Sequence, residues 1–141
     1  TGNLLVATLT GGASLENLAQ PVDVVADPTG SGLIYVADLK NRIVQIYPDG
    51  SIGKTWPIVV GTNEGGSRLA ISASGSVLYM SDPDRQRVAV IDLQSGETDY
   101  FGKTGDSPGQ FRTPQGIAVG ADGRVYVLDR TRDNVQVFTI K

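Results

Sequence analysis

Histidine and cysteine are both absent from this chain of 141 residues. Catalytic zinc is held mainly by these residue types, and Ser-His-Asp and Cys-His catalysis require at least one of them. We therefore predict no catalytic residue, no metal ligand and no bound cofactor, and we expect a protein that is not an enzyme. The lack of cysteine also means that disulfides cannot indicate the redox compartment.

Long apolar runs and runs of basic residues are missing too. No apolar stretch approaches the roughly 20 residues of a membrane span. The 12 lysines and arginines are scattered and are outnumbered by 15 acidic residues, whereas a nucleic-acid surface normally clusters basic residues. We expect neither a membrane span nor a nucleic-acid partner. What remains is a chain with 40% hydrophobic residues, 18 glycines and seven prolines, which is typical of short strands joined by tight turns.

A tyrosine followed by an aspartate at the end of an apolar run occurs three times, in the segments 35–38, 79–82 and 126–129. The aspartates recur after 44 and then 47 residues, which is the period expected for propeller blades of four strands. A single blade cannot bury its own faces, so blades must stack side by side. The sequence therefore predicts one all-β domain, 1–141, built from three four-stranded antiparallel blades.

Alternating hydrophobicity and turn residues predict eleven strands in these blades. Blade 1 covers about residues 21–60, blade 2 about 66–101 and blade 3 about 109–141. The predicted strands are 22–26, 33–37, 43–47 and 55–60, then 69–72, 77–81, 87–92 and 98–101, and finally 116–119, 124–128 and 135–140. Blade 3 therefore has no fourth strand of its own.

A strand-like run, residues 4–9, precedes the first blade and includes Leu4, Leu5, Val6 and Leu9. Three blades are fewer than the roughly four to eight that close a propeller ring, so the two ends of one chain cannot meet. We expect residues 4–9 to be a closing strand that completes the last blade of another copy. The four apolar residues are therefore candidates for partner binding.

The third unit carries the clearest motifs: Gly109-Gln110-Phe111, Pro114 to Val119, and Tyr126 to Asp129. These motifs resemble the NHL repeat, in which glycine and phenylalanine precede a proline, a Gly-Ile-Ala-Val strand and a strand ending in aspartate. The other units follow the pattern less closely, with Leu18 and Pro21 at the places of Phe111 and Pro114, Gly66 in place of the second proline, and Asn134 where the first two units have Arg42 and Arg87.

The resemblance covers nearly the whole chain and implies a six-bladed propeller, of which this chain supplies half. For function it implies a range that includes binding platforms, RNA readers and occasional lyases or lactonases. The lyases of the family hold zinc through histidines, which this sequence lacks. By analogy with the family, a secreted or periplasmic protein is expected.

The repeated aspartates, Asp38, Asp82 and Asp129, are interpreted as structural turn residues. Each ends a strand, where a carboxylate can accept backbone N–H groups of the following turn. Recurrence once per blade is what a structural role requires. Arg42 and Arg87 are expected to pair with such aspartates or with a neighbouring blade.

Asp23 and Arg68 hold the place that Gly116 holds in the third unit. In NHL repeats this place is glycine and lies on the innermost strand, which faces the central channel. We interpret the two charges as a salt-bridged or water-filled channel lining, and also as candidates for binding an anion, a metal or a small ligand. A Ca²⁺ ion would need about six to eight oxygens, for which no carboxylate-rich motif is present.

Trp56 lies beside Pro57 on a predicted outer strand. A partly exposed tryptophan there could anchor a protein partner, because tryptophan is enriched among the residues that dominate binding energy. Packing in the core or at the rim is the alternative.

The leading hypothesis is a non-enzymatic NHL-repeat binding and scaffold protein that assembles with itself, and that could also bind another protein. Strand donation would give either a two-chain ring of six blades or a head-to-tail fibre. Two alternatives stay open at this point: a fragment of a longer six-bladed propeller, and a lactonase-like hydrolase with a metal in the channel near Asp23.

Overall fold

The computed structural model describes residues 18–140, and in this range all regular structure is β-strand apart from one 3₁₀ turn, Asn63–Gly65. Sheet 1 contains β1 (Pro21–Ala26), β2 (Ile34–Asp38), β3 (Arg42–Ile46) and β4 (Ile52–Pro57). Sheet 2 contains β5 (Leu69–Ile71), β6 (Val77–Asp82), β7 (Arg87–Asp92) and β8 (Thr98–Phe101). A two-stranded parallel pair, β9 (Lys103–Thr104) and β10 (Gln110–Phe111), leads into sheet 3, which contains β11 (Pro114–Val119), β12 (Val125–Asp129) and β13 (Asn134–Phe138).

Strands follow one another in space in the order in which they occur in the chain, and each neighbouring pair within the three main sheets is antiparallel. Short turns make this meander possible. In the turn from β3 to β4, the N–H of Gly50 donates to the carbonyl of Tyr47 at 2.9 Å. Gly50 has φ +88°, a left-handed conformation that glycine adopts without a steric cost. The prediction of an all-β, propeller-type fold is confirmed.

The fourth strand of sheet 1 lies earlier than predicted, at Ile52–Pro57 rather than 55–60. Proline has no N–H with which to continue a ladder, so pairing with β3 ends at Pro57. Beyond it, the N–H of Ile58 donates instead to the carbonyl of Asn41 at 3.1 Å. Pairing of β9 with β10 was not predicted from the sequence.

Sheet 3 has three strands among the described residues, as the sequence predicts for blade 3. The closing strand that was predicted over residues 4–9 lies outside the described part of the chain. Strand donation, and the division of the chain into blades with the stated boundaries, therefore stay predictions.

The core has two layers between neighbouring sheets and a third, smaller cluster on sheet 1. Sheets 1 and 2 enclose a mainly aliphatic layer with one tyrosine and one tryptophan, and its most buried members are Ala37, Ile43, Leu78, Ala89 and Ile91. Sheets 2 and 3 enclose a smaller layer that consists of Tyr79, Val88, Phe111, Val125 and Val127, with further apolar residues packed against them. Alternation along each strand sends successive side chains to opposite layers, so sheet 2 contributes to both.

Each sheet thus has two faces with distinct partners. We call the face that points to the next sheet in the chain the forward face and the opposite one the rear face. Among the described residues, the forward face of sheet 3 and the rear face of sheet 1 have no sheet packed against them.

Candidate functional site

Asp38 ends β2 and is completely buried. Its carboxylate accepts N–H groups from Gln20 at 2.7 Å and Ala19 at 3.1 Å, and it pairs with the Nε of Arg42 at 3.1 Å. Burial opposes ionisation, but these hydrogen bonds and the charge of Arg42 outweigh it and lower the pKa of Asp38. The carboxylate therefore joins the segment before β1 to the end of β2.

Asp129 has the same arrangement in sheet 3, where it accepts the N–H groups of Arg112 at 2.8 Å and Thr113 at 3.0 Å. Asp82 instead accepts the N–H groups of Asp84 and Arg85, both at 3.1 Å, from the turn that follows it. Donors in the following turn were predicted for all three aspartates. For Asp38 and Asp129, the structure places the principal donors in the segment before the innermost strand.

The arginines at the start of the third strands differ in their contacts. Arg42 pairs with Asp38, whereas the guanidinium of Arg87 lies 3.7 Å above the ring of Tyr100 and its Nε is 3.7 Å from Asp82. At the matching place in sheet 3, the Oδ1 of Asn134 is buried and has no hydrogen-bond partner among the described residues. The Nε of Arg87 is also buried and makes no hydrogen bond to the described residues, so sheets 2 and 3 each leave one buried polar atom unsatisfied at this place, at a cost in stability.

Asp23 and Arg68, the predicted channel residues, bond to different groups. The carboxylate of Asp23 accepts the N–H of Leu69 at 2.7 Å, which connects β1 to β5. The guanidinium of Arg68 donates to the carbonyls of Gly65 at 2.8 Å and Ser67 at 3.2 Å. Both charges thus have partners that hold neighbouring sheets and loops together, and a ligand role for either residue stays a prediction.

The connection from sheet 1 to sheet 2 forms a polar contact that the sequence did not reveal. Glu64, with φ +53°, pairs through its carboxylate with Arg130 at 2.7 Å, and its carbonyl accepts a hydrogen bond from the side chain of Gln115. The connection therefore also touches sheet 3. Because Glu64 and Arg130 are 66 residues apart, no local pattern could have identified this pair.

Asp84 holds the same connection from the other side. Its carboxylate accepts the N–H groups of Asn63 at 2.8 Å and Thr62 at 3.0 Å. Burial again opposes ionisation, but these bonds, the Thr62 hydroxyl and the charge of Arg85 lower the pKa of Asp84. The loop at 62–65 is thus fixed by ionised side chains at both ends.

Trp56 is in the core and not on the surface, with 6% exposure. Its ring lies 5.9 Å from that of Tyr35 in the layer between sheets 1 and 2. The partial exposure expected for Trp56 is therefore not present, and its surroundings are those of the core-packing alternative. A partner-binding role for Trp56 stays a prediction. The strand pairing explains the difference, because Trp56 lies opposite Ile43 and shares its buried face.

The forward face of sheet 3 is an exposed apolar surface that the sequence-based candidates did not include. Leu128 is 43% exposed, Val135 55% and Val137 51%. Leu128 and Val135 border a cleft of about 340 Å³ that also reaches Asp129 and Asn134. Beside them, β13 has no strand on its outer side among the described residues.

The rear face of sheet 1 is the second such surface. Its outer part is covered, since Val36, Val44 and Ile46 are buried and Leu18 packs against them. Its inner strand is open: Val24 is 56% exposed and lies beside a cleft of about 410 Å³.

The described residues contain no group of three or more histidine, cysteine, aspartate or glutamate side chains that could hold a metal. Within the same range, no helix has the length and apolar character needed to cross a membrane. The described residues offer exposed apolar surface and a strand edge without a paired neighbour, and both are features of binding surfaces.

Comparison with protein families identifies an NHL repeat at residues 111–138. This range includes Phe111, the Pro114–Val119 strand and the strand that ends in Asp129, which carried the resemblance. The predicted NHL repeat is confirmed for these residues of the third unit, and the neighbouring structures are propeller-type proteins. No curated protein sequence matches the chain.

Three solved structures illustrate the similarity of the fold. A candidate 6-phosphogluconolactonase from Bacteroides uniformis has a TM-score of 0.64 and 19% identity over 86% of this chain. A protein of unknown function from Bacteroides thetaiotaomicron gives a TM-score of 0.62 and 25% identity over 77% of this chain. A catalytically inactive virginiamycin B lyase from Staphylococcus aureus, with quinupristin, gives 0.56 and 20% over 85%.

This chain spans 36%, 30% and 41% of those three proteins, respectively. At such identities the similarity establishes the fold alone. More than half of each of those proteins therefore has no counterpart in these 141 residues.

Proposed function

We propose that this protein is a non-enzymatic scaffold that works through protein–protein contacts, above all with copies of itself. The observation that carries the proposal is the exposed apolar forward face of sheet 3, formed by Leu128, Val135 and Val137. Contiguous apolar surface of this kind marks interaction sites in soluble proteins. Within residues 18–140 no strand pairs with the outer edge of β13, so its backbone groups can bind another strand.

Strand donation is the form of contact that we propose for this edge. Residues 4–9 of a second copy would pair with β13 and complete sheet 3 as a fourth strand. Each backbone hydrogen bond so formed contributes roughly 0.5–1.5 kcal/mol net. Reciprocal exchange gives a closed two-chain ring, and exchange without closure gives a head-to-tail fibre.

The solution mass of the chain tests the proposal. Light scattering at micromolar concentration should give a multiple of the chain mass of 14.8 kDa. Deletion of residues 1–10 should reduce that mass to a single chain, since the donated strand is removed. A monodisperse monomer of the full chain contradicts self-association, and oligomers that survive the deletion contradict strand donation.

A second candidate is that the chain is part of a longer six-bladed propeller. The coverage of its structural neighbours, 30% to 41% of their length, favours this alternative. Further repeats would then cover the open faces within one polypeptide. Sequencing the genomic region downstream of the codon for Lys141 tests it, because additional NHL-type units should follow in frame.

A third candidate is a lactonase-like hydrolase with a metal held near Asp23, which the similarity to a candidate lactonase supports. The hydrogen bond from Leu69 occupies one oxygen of Asp23 and leaves the other for an ion. Metal analysis of the purified protein and of Asp23→Asn distinguishes the cases. This candidate predicts bound metal that the variant loses, and equal metal contents would contradict it.

A further inference from the structure

The layer between sheets 1 and 2 and the layer between sheets 2 and 3 are built from residues at equivalent positions of the repeat. Residues just before the repeated aspartates, Ala37 and Ser81, point forward and are completely buried. Their counterpart in sheet 3 is Leu128, at 43% exposure. The third strands show the same pattern. Ile43 and Val88 directly follow the arginines that are paired with Asp38 and Asp82, and both are at 0% exposure. Their counterpart Val135 is at 55%. Sheet 3 therefore presents a forward face whose equivalents are covered in both other sheets.

The same comparison applies to the innermost strands. Val24 is paired with Val36, Leu69 with Met80 and Ile117 with Val127, so the three hold one position in the repeat. Leu69 has 6% exposure, and Ile117 packs in the layer between sheets 2 and 3. Both contact the preceding sheet. Val24 is the only one of the three that is largely exposed, which leaves the rear face of sheet 1 open at this strand.

The exposed forward face of sheet 3 and the exposed innermost strand of sheet 1, at Val24, hold the positions that form the two halves of a contact which the chain already makes twice. The rest of the rear face of sheet 1, at Val36, Val44 and Ile46, is already buried, so Val24 and its cleft supply this half. From this equivalence we infer that the forward face of sheet 3 packs on the rear face of sheet 1 of a second copy. The inference rests on the proposed self-association and names its surfaces: Leu128 and Val135 on one chain, and Val24 with its cleft on the other. The contact joins two different surfaces, so it is heterologous, and two such contacts close a ring of two chains.

Charge at either surface tests the inference. Val24→Glu and Val135→Glu each place a carboxylate in the contact, where it would be buried without a partner. Each variant alone should be monomeric, with a dissociation constant raised on the order of a hundredfold. Val59→Glu is the matched control, since Val59 is also an exposed valine, at 40%, and lies beyond the last strand of sheet 1, which ends at Pro57. It should assemble like the parent chain.

Mixing the two variants provides the decisive measurement. The intact forward face of Val24→Glu can pack on the intact rear face of Val135→Glu, so an equimolar mixture should form a dimer with one contact. Sedimentation velocity measures this, and circular dichroism confirms that each variant is folded.

The outcomes separate the inference from the proposed function. If the parent chain dimerises and the mixture restores the dimer, the inference stands. If the parent chain dimerises but neither glutamate weakens it, self-association stands and the assigned surfaces are wrong. If Val135→Glu dissociates while Val24→Glu does not, like faces meet and the inference is overturned. If the parent chain is a monomer, both fail.

Discussion

Val88 and Val135 occupy the same place in the second and third repeats, and they differ completely in exposure. Val88 lies under sheet 3 at 0% exposure, whereas Val135 faces outwards at 55%. Val88 follows the partner of Asp82 in its sheet, and Val135 follows the partner of Asp129 in the next sheet. The comparison teaches that burial in this fold is decided by the next sheet and not by the strand's own sequence. A covered position contributes to stability, and its open counterpart is free to contribute to association.

The largest effect is expected in the covered layer between sheets 2 and 3. Phe111→Ala should lower the free energy of unfolding by about 3–5 kcal/mol, because it removes a fully buried ring and leaves a cavity. The ring centroids of Phe101 and Phe138 lie 6.4 and 5.7 Å from that of Phe111, so both lose a packing partner. Urea titration measures the change. A loss below about 1 kcal/mol would show that this layer does not hold sheet 3 in place.

A matched pair sharpens the comparison between covered and open positions. Ile43→Ala should cost about 2–5 kcal/mol because Ile43 is fully buried. Val135→Ala should change the free energy of unfolding of the monomeric chain by less than about 0.5 kcal/mol, as at other exposed sites. Urea titration at low protein concentration, where association is negligible, measures both. Equal losses at the two positions would contradict the difference in burial.

Asp38→Asn is expected to have an intermediate effect. The amide keeps one oxygen that can accept a hydrogen bond. It loses the second acceptor oxygen and the negative charge, both of which the carboxylate uses to bind Gln20, Ala19 and Arg42. Loss of such bonds should cost about 1–3 kcal/mol. Thermal unfolding at neutral pH measures it, with Asp49→Asn, an exposed turn residue, as the control. A variant as stable as the parent would contradict a structural role for the repeated aspartate.

Stability should also fall in acid. Asp38 and Asp84 have a lower pKa in the folded chain than the unfolded value of about 3.9. They therefore stabilise the fold above that value, and the contribution is lost as the pH drops through their folded pKa. Urea titrations between about pH 6 and 2.5 should show this decline, and Asp38→Asn should make it shallower. An unchanged slope in the variant would contradict the assignment.

A small effect, which depends on salt, is expected at the loop contact between Glu64 and Arg130. Both side chains are more than half exposed, so Arg130→Gln should cost only about 0.2–1 kcal/mol. The difference should shrink at high salt, since ions screen exposed pairs. Thermal unfolding at low and high ionic strength measures it. A loss that is independent of salt would show that Arg130 acts through packing.

Much of the fold follows from the sequence because its signals are local. Alternating apolar residues, turn glycines and the recurring aspartates are enough to identify the strands and the repeat. The end of β4 at Pro57 also has a local cause, because proline has no N–H with which to continue the pairing. The predicted strand, 55–60, included Pro57 and continued beyond it.

The candidate site was less predictable because its contacts are between distant residues. Asp38 takes its donors from residues 18 and 19 positions earlier, and Glu64 meets a residue 66 positions later. Trp56 resembles a surface residue until its pairing with Ile43 is known. The exposure of Val135 depends on what lies beyond sheet 3, and no pattern within its own strand records that.

Cross-linking tests most directly which surfaces meet, and the chain has no cysteine of its own to interfere. The carboxylate of Asp23 in sheet 1 accepts the N–H of Leu69 in sheet 2. At the proposed contact, Gly116 of sheet 3 takes the place of Asp23, and Val24 of the second copy takes the place of Leu69. A side chain at Gly116 meets only the Cβ of Leu128, at 3.4 Å, so Gly116→Cys is tolerated. Mixed Gly116→Cys and Val24→Cys chains should form a disulfide-linked dimer on oxidation, while each variant alone gives little. Equal cross-linking of the separate variants, or none in the mixture, would contradict a contact between the forward face of sheet 3 and the rear face of sheet 1.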